Sequence, residues 1–273
     1  MKSIAGFLLL FSLTAYSQTK PSYLGFDRNN YPGDQNLKAL HETFSFAGYW
    51  LSRPPSARVN TWIGKRQKLQ AAGFGFLVLF NGRLYAELKT VAHATALGKS
   101  DARAASAAAH REGFPGDTII FLDQEQGGRM LPEQKAYIYA WVDLVNSAGF
   151  RAGIYCSGIE ATEDGGATIV TAHDIRDNAH GRKIVFFVTD DACPPAPGCA
   201  FPKKPPHPAQ SGISFAEAWQ FAQSPRRKDV SAGCPAMHNA DGNCYPPDVD
   251  IAQKLHIDVD TATSPDPSQG RSR

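Results

Sequence analysis

The chain has 273 residues and a net charge of +2, with basic and acidic residues mixed along its length. Its most basic run is the short stretch Pro-Arg-Arg-Lys at 225–228, which is too small to predict a nucleic-acid interface. The length suits one large α/β domain, and α/β barrels commonly use such a length as a single unit. Composition therefore excludes a nucleic-acid-binding protein and favours a single globular domain.

The first 17 residues have the pattern of a cleavable secretory signal. Lys2 supplies a positive start, residues 4–13 form an apolar core, and Ala15-Tyr16-Ser17 is a small-x-small cleavage site. The apolar run is too short for a stable membrane span, although an uncleaved anchor is the alternative interpretation. We therefore expect a secreted or periplasmic protein with no membrane contact after cleavage.

The five cysteines all follow this signal. Cys193 and Cys199 flank a Pro-rich stretch, Cys234 and Cys244 lie in a later loop, and Cys156 ends an apolar run. Because exported proteins form disulfides, we expect two local ones, 193–199 and 234–244, with Cys156 buried and free. A zinc site is the rival interpretation, but no CxxC or HxxxH spacing is present.

Strand and helix patterns alternate along the chain. Helical patterns begin at Asp34, run from Asn60 to Gly73, fill 101–112 after Ser100, and occupy 132–148 before Gly149. Strand-like apolar runs occur at 23–27, 46–51, 74–80, 118–123, 150–155, 183–189, 217–222 and, most weakly, 249–252.

About eight apolar strands separated by helices predict an α/β fold, a single (β/α)8 TIM-like barrel with irregular units allowed. An open doubly wound sheet is the alternative, but no GxGxxG follows the first strand. We place the barrel at residues 21–256. The segment 193–209 is rich in proline and predicts a long loop, and the polar tail 257–273 predicts disorder.

Several predicted strands end in acidic or polar side chains, and in a parallel barrel such ends meet at one mouth. The most informative of these ends is the stretch TIIFLDQEQGG at 118–128. The set comprises Asp27, Asp123, Glu125, Asp190, Asp191, Trp219, Gln220 and Asp250.

Asp123 and Glu125 are two residues apart, so they share one face if the strand persists. Two close carboxyls raise the pKa of one of them, which leaves a proton donor beside an ionised partner. Gly127-Gly128 then allows a sharp turn and leaves room for a ligand. A capping Asp beside a solvated Glu is the alternative interpretation.

Aromatic residues near these strand ends, among them Tyr155 and Phe80, offer flat faces to sugar rings. In Trp219-Gln220, the Gln220 amide can both donate and accept hydrogen bonds beside the aromatic ring of Trp219. Cys156 has no evident base nearby in the sequence, which argues against cysteine or serine catalysis. The pattern therefore favours a carbohydrate site.

The segments GFDRNNYPG, GFPGDTIIFLDQEQGG, GFRAGIYCSG and AWQFAQ resemble a glycoside-hydrolase-like family, domain of unknown function 1906. That family is related in fold to the family 25 glycoside hydrolases, the lysozyme-like muramidases. The resemblance covers about residues 21–256 and implies a TIM-like barrel with its site at the strand C-terminal ends. It implies that Glu125 is the proton donor, with Asp123 and Asp27 as catalytic partners.

The same resemblance implies substrate contacts from a late Asp, at Asp190 or Asp191, from Trp219-Gln220, and from Asp250. Arg28-Asn29-Asn30 departs from the family's Ser and Trp pattern after the first-strand Asp.

Three functions remain open from the sequence. The first is an exported monomeric hydrolase of peptidoglycan or a related N-acetylated glycan that uses no cofactor and no metal. The second is a carbohydrate- or cell-wall-binding barrel without turnover, and the third is a metal-dependent hydrolase.

Overall fold

The computed structural model describes residues 21–233 and 237–271, so the predicted signal at 1–17 lies outside the described part. Six α-helices are described there: α1 Leu37–Thr43, α2 Arg66–Ala71, α3 Tyr85–Leu88, α4 Val91–Glu112, α5 Pro132–Ser147 and α6 Thr171–Asp177. Short 3-10 helices occur at Asp34–Asn36, Pro208–Ser211 and Ile251–Gln253.

Eight strands form a closed barrel that the helices surround. They are β1 Tyr23–Asp27, β2 Phe46–Trp50, β3 Gly75–Asn81, β4 Ile119–Asp123, β5 Arg151–Ser157, β8 Val185–Thr189, β9 Ala216–Ala222 and β10 Asp258–Ala262. A separate hairpin pairs β6 Glu160–Thr162 with β7 Thr168–Val170. The barrel confirms the predicted TIM-like α/β fold.

The barrel is irregular at its closing strand. Neighbouring strands are parallel except at β10, which runs antiparallel to both β9 and β1. No α-helix lies between β8 and β9 or between β9 and β10 in the described part of those connections. Long loops take their place, as the Pro-rich segment predicts.

Helix α5 shows how the sequence builds the outer layer. Pro132 occupies the first turn, where its missing N–H costs nothing. Tyr137, Trp141 and Val145 recur at helical spacing and are buried against the barrel. Gly149 follows with φ +84°, a conformation that favours glycine and ends the helix before β5.

The predictions for the C-terminal part were wrong in two places. Residues 249–252 form no strand, and the last strand is β10, inside the segment expected to be disordered. The polar tail after it is ordered because it caps backbone N–H groups in the first half of β3. The N–H of Phe76 donates to Asp266, and that of Val78 donates to Ser268 (both 2.8 Å).

The predicted local disulfides were also wrong. Cys199 bonds Cys244, 45 residues away, so neither the 193–199 nor the 234–244 pair forms. Cys193 is itself disulfide-bonded, and Cys234 lies outside the described residues. Folding brings the Pro-rich loop onto the loop before β10, and spatial proximity rather than sequence proximity decides the pairing.

Cys156 is buried and free, as expected. The zinc alternative rests on Cys199, Cys244 and His238, whose ligand atoms lie within 4.8 Å of one another. Both sulfurs are consumed by the disulfide, so this group lacks the thiolates that zinc needs. Within residues 21–233 and 237–271, no helix has the length and apolar character to cross a membrane.

Candidate active site

A well opens on the barrel axis at the C-terminal ends of the parallel strands. It has a volume of about 210 Å³, and each of the eight barrel strands supplies one lining residue. We call it the axial well; its strand residues are Asp27, Trp50, Leu79, Asp123, Tyr155, Phe187, Gln220 and Asp258. Loop residues, including Asn29, Glu125, Gln223 and Ser224, complete the rim.

Asp27 ends β1 and is buried in this well. Its carboxylate accepts a hydrogen bond from Nε2 of Gln220 (2.8 Å). Gly48 on the adjacent strand makes room for it, since a Cβ there would lie 2.4 Å from the Cβ of Asp27. Burial raises the pKa of Asp27 to about 6, although the hydrogen bond from Gln220 opposes the rise.

Asp123 and Glu125 form the carboxyl pair that the sequence predicted. Strand β4 ends at Asp123, and Glu125 lies in the loop just beyond it. Both side chains line the axial well; Asp123 is buried, and Glu125 is exposed to solvent at the rim.

The protonation of this pair follows from its burial. Burial and the charge of Glu125 raise the pKa of Asp123 well above its usual range. Partial desolvation at the rim also raises the pKa of Glu125, whereas its interaction with the Asp123 carboxyl and the charge of Arg227 lower it. Both pKa values are raised, so the pair holds a proton to higher pH than an isolated carboxyl does, which is the direction that a general acid requires.

The predicted glycine turn is present after this pair. Gly128 has φ +90°, and its N–H donates to Thr171 Oγ1 (2.8 Å) at the start of α6. This contact holds the loop that carries Glu125.

A network of amide and phenol groups forms the opposite wall of the axial well. The hydroxyl of Tyr155 donates to Oε1 of Gln220 (2.7 Å), and Nε2 of Gln223 donates to the same oxygen (2.9 Å). Because Gln220 also donates to Asp27, its amide orientation is set from both ends. Tyr155 and Gln220 thus lie where they were predicted.

Two acids of the last strand were missed by the sequence reading. Asp258 lines the axial well and accepts the N–H of Ser224 (2.5 Å), and Asp260 is fully buried one layer below. Burial raises the pKa of both well above the usual range. The alternating pattern Ile-Asp-Val-Asp-Thr at 257–261 carried the signal, since it places both acids on one face of a strand.

A second depression adjoins the axial well above β3. We call it the lateral groove; it has a volume of about 700 Å³ and shares Pro55, Asp123 and Glu125 with the well. The predicted Phe80 lies here rather than in the well. The carboxyl pair therefore lies between two spaces that an elongated ligand can occupy together.

Four predicted contact residues do not reach the axial well. Trp219 points away from the barrel interior, and its indole N–H donates to the carbonyl of Asp190 (2.7 Å). The Asp190 carboxylate caps the N–H of Ala192, and Asp191 pairs with Arg227. Asp250 is exposed and caps the 3-10 helix at 251–253.

The family profile of the Rv2525c-like, glycoside hydrolase-like domain matches residues 41–191, more than half of the chain. The chain belongs to this family. Membership confirms the glycoside-hydrolase-like family that the motifs indicated. A search of curated proteins found no match.

Solved structures share the fold at low sequence identity. An uncharacterized B. stearothermophilus protein is 20% identical with a TM-score of 0.58, covering 88% of this chain and 95% of its own. The Mycobacterium tuberculosis Tat-secreted protein Rv2525c, with L-tartrate, is 14% identical with a TM-score of 0.52, covering 90% and 97%. The catalytic domain of endolysin ply40, from bacteriophage P40 of Listeria monocytogenes, is 13% identical with a TM-score of 0.50, covering 93% and 100%.

Proposed function

We propose that this protein is an exported glycoside hydrolase that cleaves peptidoglycan or a related N-acetylated glycan. The observation that carries the proposal is the Asp123–Glu125 pair, which lines both the axial well and the lateral groove. One member is buried and the other faces solvent, which is the asymmetry that acid catalysis on a bound sugar requires.

Glu125 is the proton donor in this proposal. It is the exposed member of the pair, so its carboxyl can reach the oxygen of a glycosidic bond that spans the well and the groove. Proton transfer leaves a negative charge on Glu125, and the nearby guanidinium of Arg227 stabilises that charge. Asp123 then orients the substrate's N-acetyl group, or a water, on the other side of the bond.

Asp27 and the wall network hold the sugar. Asp27, Gln220 and Tyr155 are already connected by hydrogen bonds, so their orientations are set before a ligand arrives. Trp50 and Phe187 line the same well and provide apolar surface for a sugar ring. Export to the cell envelope is supported by the signal pattern at 1–17 and by the disulfide between Cys199 and Cys244.

The test is release of reducing ends from purified peptidoglycan by wild type and by Glu125→Gln. We expect the variant to lose about 10²–10⁴-fold in rate, the usual contribution of a positioned acid. Glu133→Gln, a half-buried glutamate in the first turn of α5 that lines neither the axial well nor the lateral groove, is the matched control and retains the wild-type rate. Equal product release by wild type and Glu125→Gln would remove the catalytic role.

A glycan-binding barrel without turnover is the second candidate. It is favoured by the burial of Asp123, because a carboxyl held neutral cannot act as an ionised helper. In that case the wild type retains glycan in a pull-down, and long incubation at any pH from 4 to 8 (approximate range) releases no product.

A further inference from the structure

A second groove lies at the opposite end of the barrel from the axial well. Its lining includes Arg151 and Val185, the first residues of β5 and β8, together with the loop that follows α6. On β5, Arg151 lines this groove and Tyr155 lines the axial well, so about 13 Å of strand separates these two lining residues. We call this the basal groove; the same sugar unit cannot occupy it and the axial well.

The basal groove is positively charged. Four cations line it, Arg151, Arg176, Arg182 and Lys183, whereas Asp117 is the acid among its lining residues. Arg182 is neutralised by a two-pronged ion pair with Asp143 (2.8 and 2.9 Å).

The other three cations are uncompensated. Within residues 21–233 and 237–271, Arg151, Arg176 and Lys183 form no ion pair. They come from β5, from α6 and from the loop before β8, so only the tertiary fold brings them together.

Aromatic residues form the floor of the basal groove. The guanidinium of Arg176 lies 4.2 Å from the ring centroid of Phe215, and that ring packs against Phe186 at 4.9 Å. Stacking holds the Arg176 guanidinium flat on the ring while leaving its N–H edge available to an anion. Phe150 adds a third ring to the lining.

The size of the basal groove fits an extended ligand. Its volume is about 840 Å³, and an adjoining cavity of about 410 Å³ shares Arg151, Val185 and Phe215 with it. Glu217 and Asp266 line that adjoining cavity, so two acids face this side. Glu217 accepts a hydrogen bond from Thr263, and Asp266 accepts the backbone N–H groups of Phe76 and Gly270. A single inorganic ion would leave most of this space empty.

We propose that the basal groove binds a phosphodiester-linked glycopolymer. Two unpaired guanidiniums favour phosphate, which they recognise through parallel N–H···O hydrogen bonds. The phenylalanine floor suits the carbon faces of the sugar or polyol between phosphates. Such binding holds the protein on an anionic surface while the axial well stays free, and it does not depend on the well being catalytic.

The test measures binding of a fluorescein-labelled glycerol-phosphate octamer to the full chain by fluorescence anisotropy, at low and at physiological salt. The groove variant combines Arg151→Gln, Arg176→Gln and Lys183→Gln. The matched control combines Lys38→Gln, Arg103→Gln and Arg111→Gln, three exposed cations outside the groove, with the same change in net charge. Circular dichroism confirms that both triple variants are folded.

We expect the groove variant to weaken binding at least 10-fold and to flatten its salt dependence, because three phosphate contacts are lost. The control should change the dissociation constant less than about 2-fold. Equal weakening by both triple variants would reduce the effect to net charge, and absence of wild-type binding at low salt would overturn the site. Equally tight binding of a polyglutamate of matched length would overturn the assignment to phosphate.

Discussion

The barrel is built in two different ways on its two sides. From β1 to β5, strands alternate with helices, and all neighbouring strands are parallel. From β8 onward, loops replace the helices, the last strand runs backwards, and a disulfide and an Asp191–Arg227 ion pair join the loops. The first side owes its order to buried apolar faces, and the second side owes much of its order to cross-links.

This difference also divides the axial well. We call the part of the barrel from β1 to β5 the helix-packed side and the part from β8 to β10 the cross-linked side. The helix-packed side contributes the carboxyl pair at the end of β4, together with Asp27. The cross-linked side contributes Gln220, Gln223 and Asp258, which orient and surround those acids. The comparison teaches that the proposed reacting groups and the groups that hold them depend on different kinds of stabilisation.

Removing the cross-link should have the largest effect on stability. The Cys199–Cys244 bond closes a 45-residue ring, so the double variant Cys199→Ala/Cys244→Ala should lose about 4 kcal/mol of unfolding free energy. Denaturant unfolding of the wild type and the double variant measures this loss. Cys156→Ala, which removes a buried free thiol from the helix-packed side, is the comparison and should lose about 1 kcal/mol. Similar losses in both would show that the two sides are stabilised alike.

Crowding Asp27 should have the next largest effect. Gly48→Ala places a Cβ 2.4 Å from the Cβ of Asp27, and the strand must shift to accept it. We expect a loss of about 1–3 kcal/mol in thermal unfolding, together with slower glycan hydrolysis. Gly116→Ala meets nothing closer than 3.6 Å and is the matched control. A Gly48→Ala variant with unchanged stability would contradict the close approach.

Neutralising Asp260 should stabilise the protein at neutral pH. Its pKa is raised by burial, so between pH 3.8 and that raised pKa the unfolded chain binds fewer protons than the folded one, and stability falls as pH rises. Asp260→Asn removes this loss and keeps a donor toward Asp27. We expect the variant to have a higher free energy of unfolding than wild type at about pH 7.5 and a similar one near about pH 4, measured by denaturant unfolding at both pH values.

The control for that variant is Asp241→Asn, because the pKa of Asp241 is lowered by hydrogen bonds from Tyr245 and Asn243. Its substitution should not stabilise the protein at neutral pH. Equal gains by both variants would attribute the effect to net charge rather than to the buried acid.

The smallest expected effect concerns the pH profile of hydrolysis. Arg227 lowers the pKa of Glu125, so Arg227→Gln should raise that pKa and move the alkaline limb of the rate profile to higher pH. Arg227→Lys keeps the charge and should leave the limb in place. An unmoved limb in Arg227→Gln would mean that the cross-linked side does not tune the proton donor.

Local patterns predicted the helix-packed side well. The amphipathic helix 132–148, the strand before Asp123 and the turn at Gly128 all follow from short-range rules, and the structure contains each of them. The same rules missed Asp258. An acid at the last residue of a strand lies at the mouth only if the strand is parallel to its neighbours. Strand β10 runs antiparallel, so its first residue, Asp258, lies at the mouth opposite Asp27.

The predictions of the cysteine pairing and of a disordered tail were wrong for a related reason. Cys199 and Cys244 are distant in sequence, and Asp266 and Ser268 find their partners nearly 200 residues earlier on β3 (a separation of 190 for both). Composition alone described the tail as polar. It could not show that unpaired strand N–H groups at the bottom of the barrel needed acceptors.

By itself, the sequence determined the alternation of strands and helices and the Asp123–Glu125 pair at one strand end, since side-chain period and strand order act locally. The tertiary structure alone decided the reversal of β10, the disulfide, the surroundings of Asp27, and the gathering of Arg151, Arg176 and Lys183 into the basal groove. These features join residues far apart in the chain, and barrel closure brings them within reach of one another.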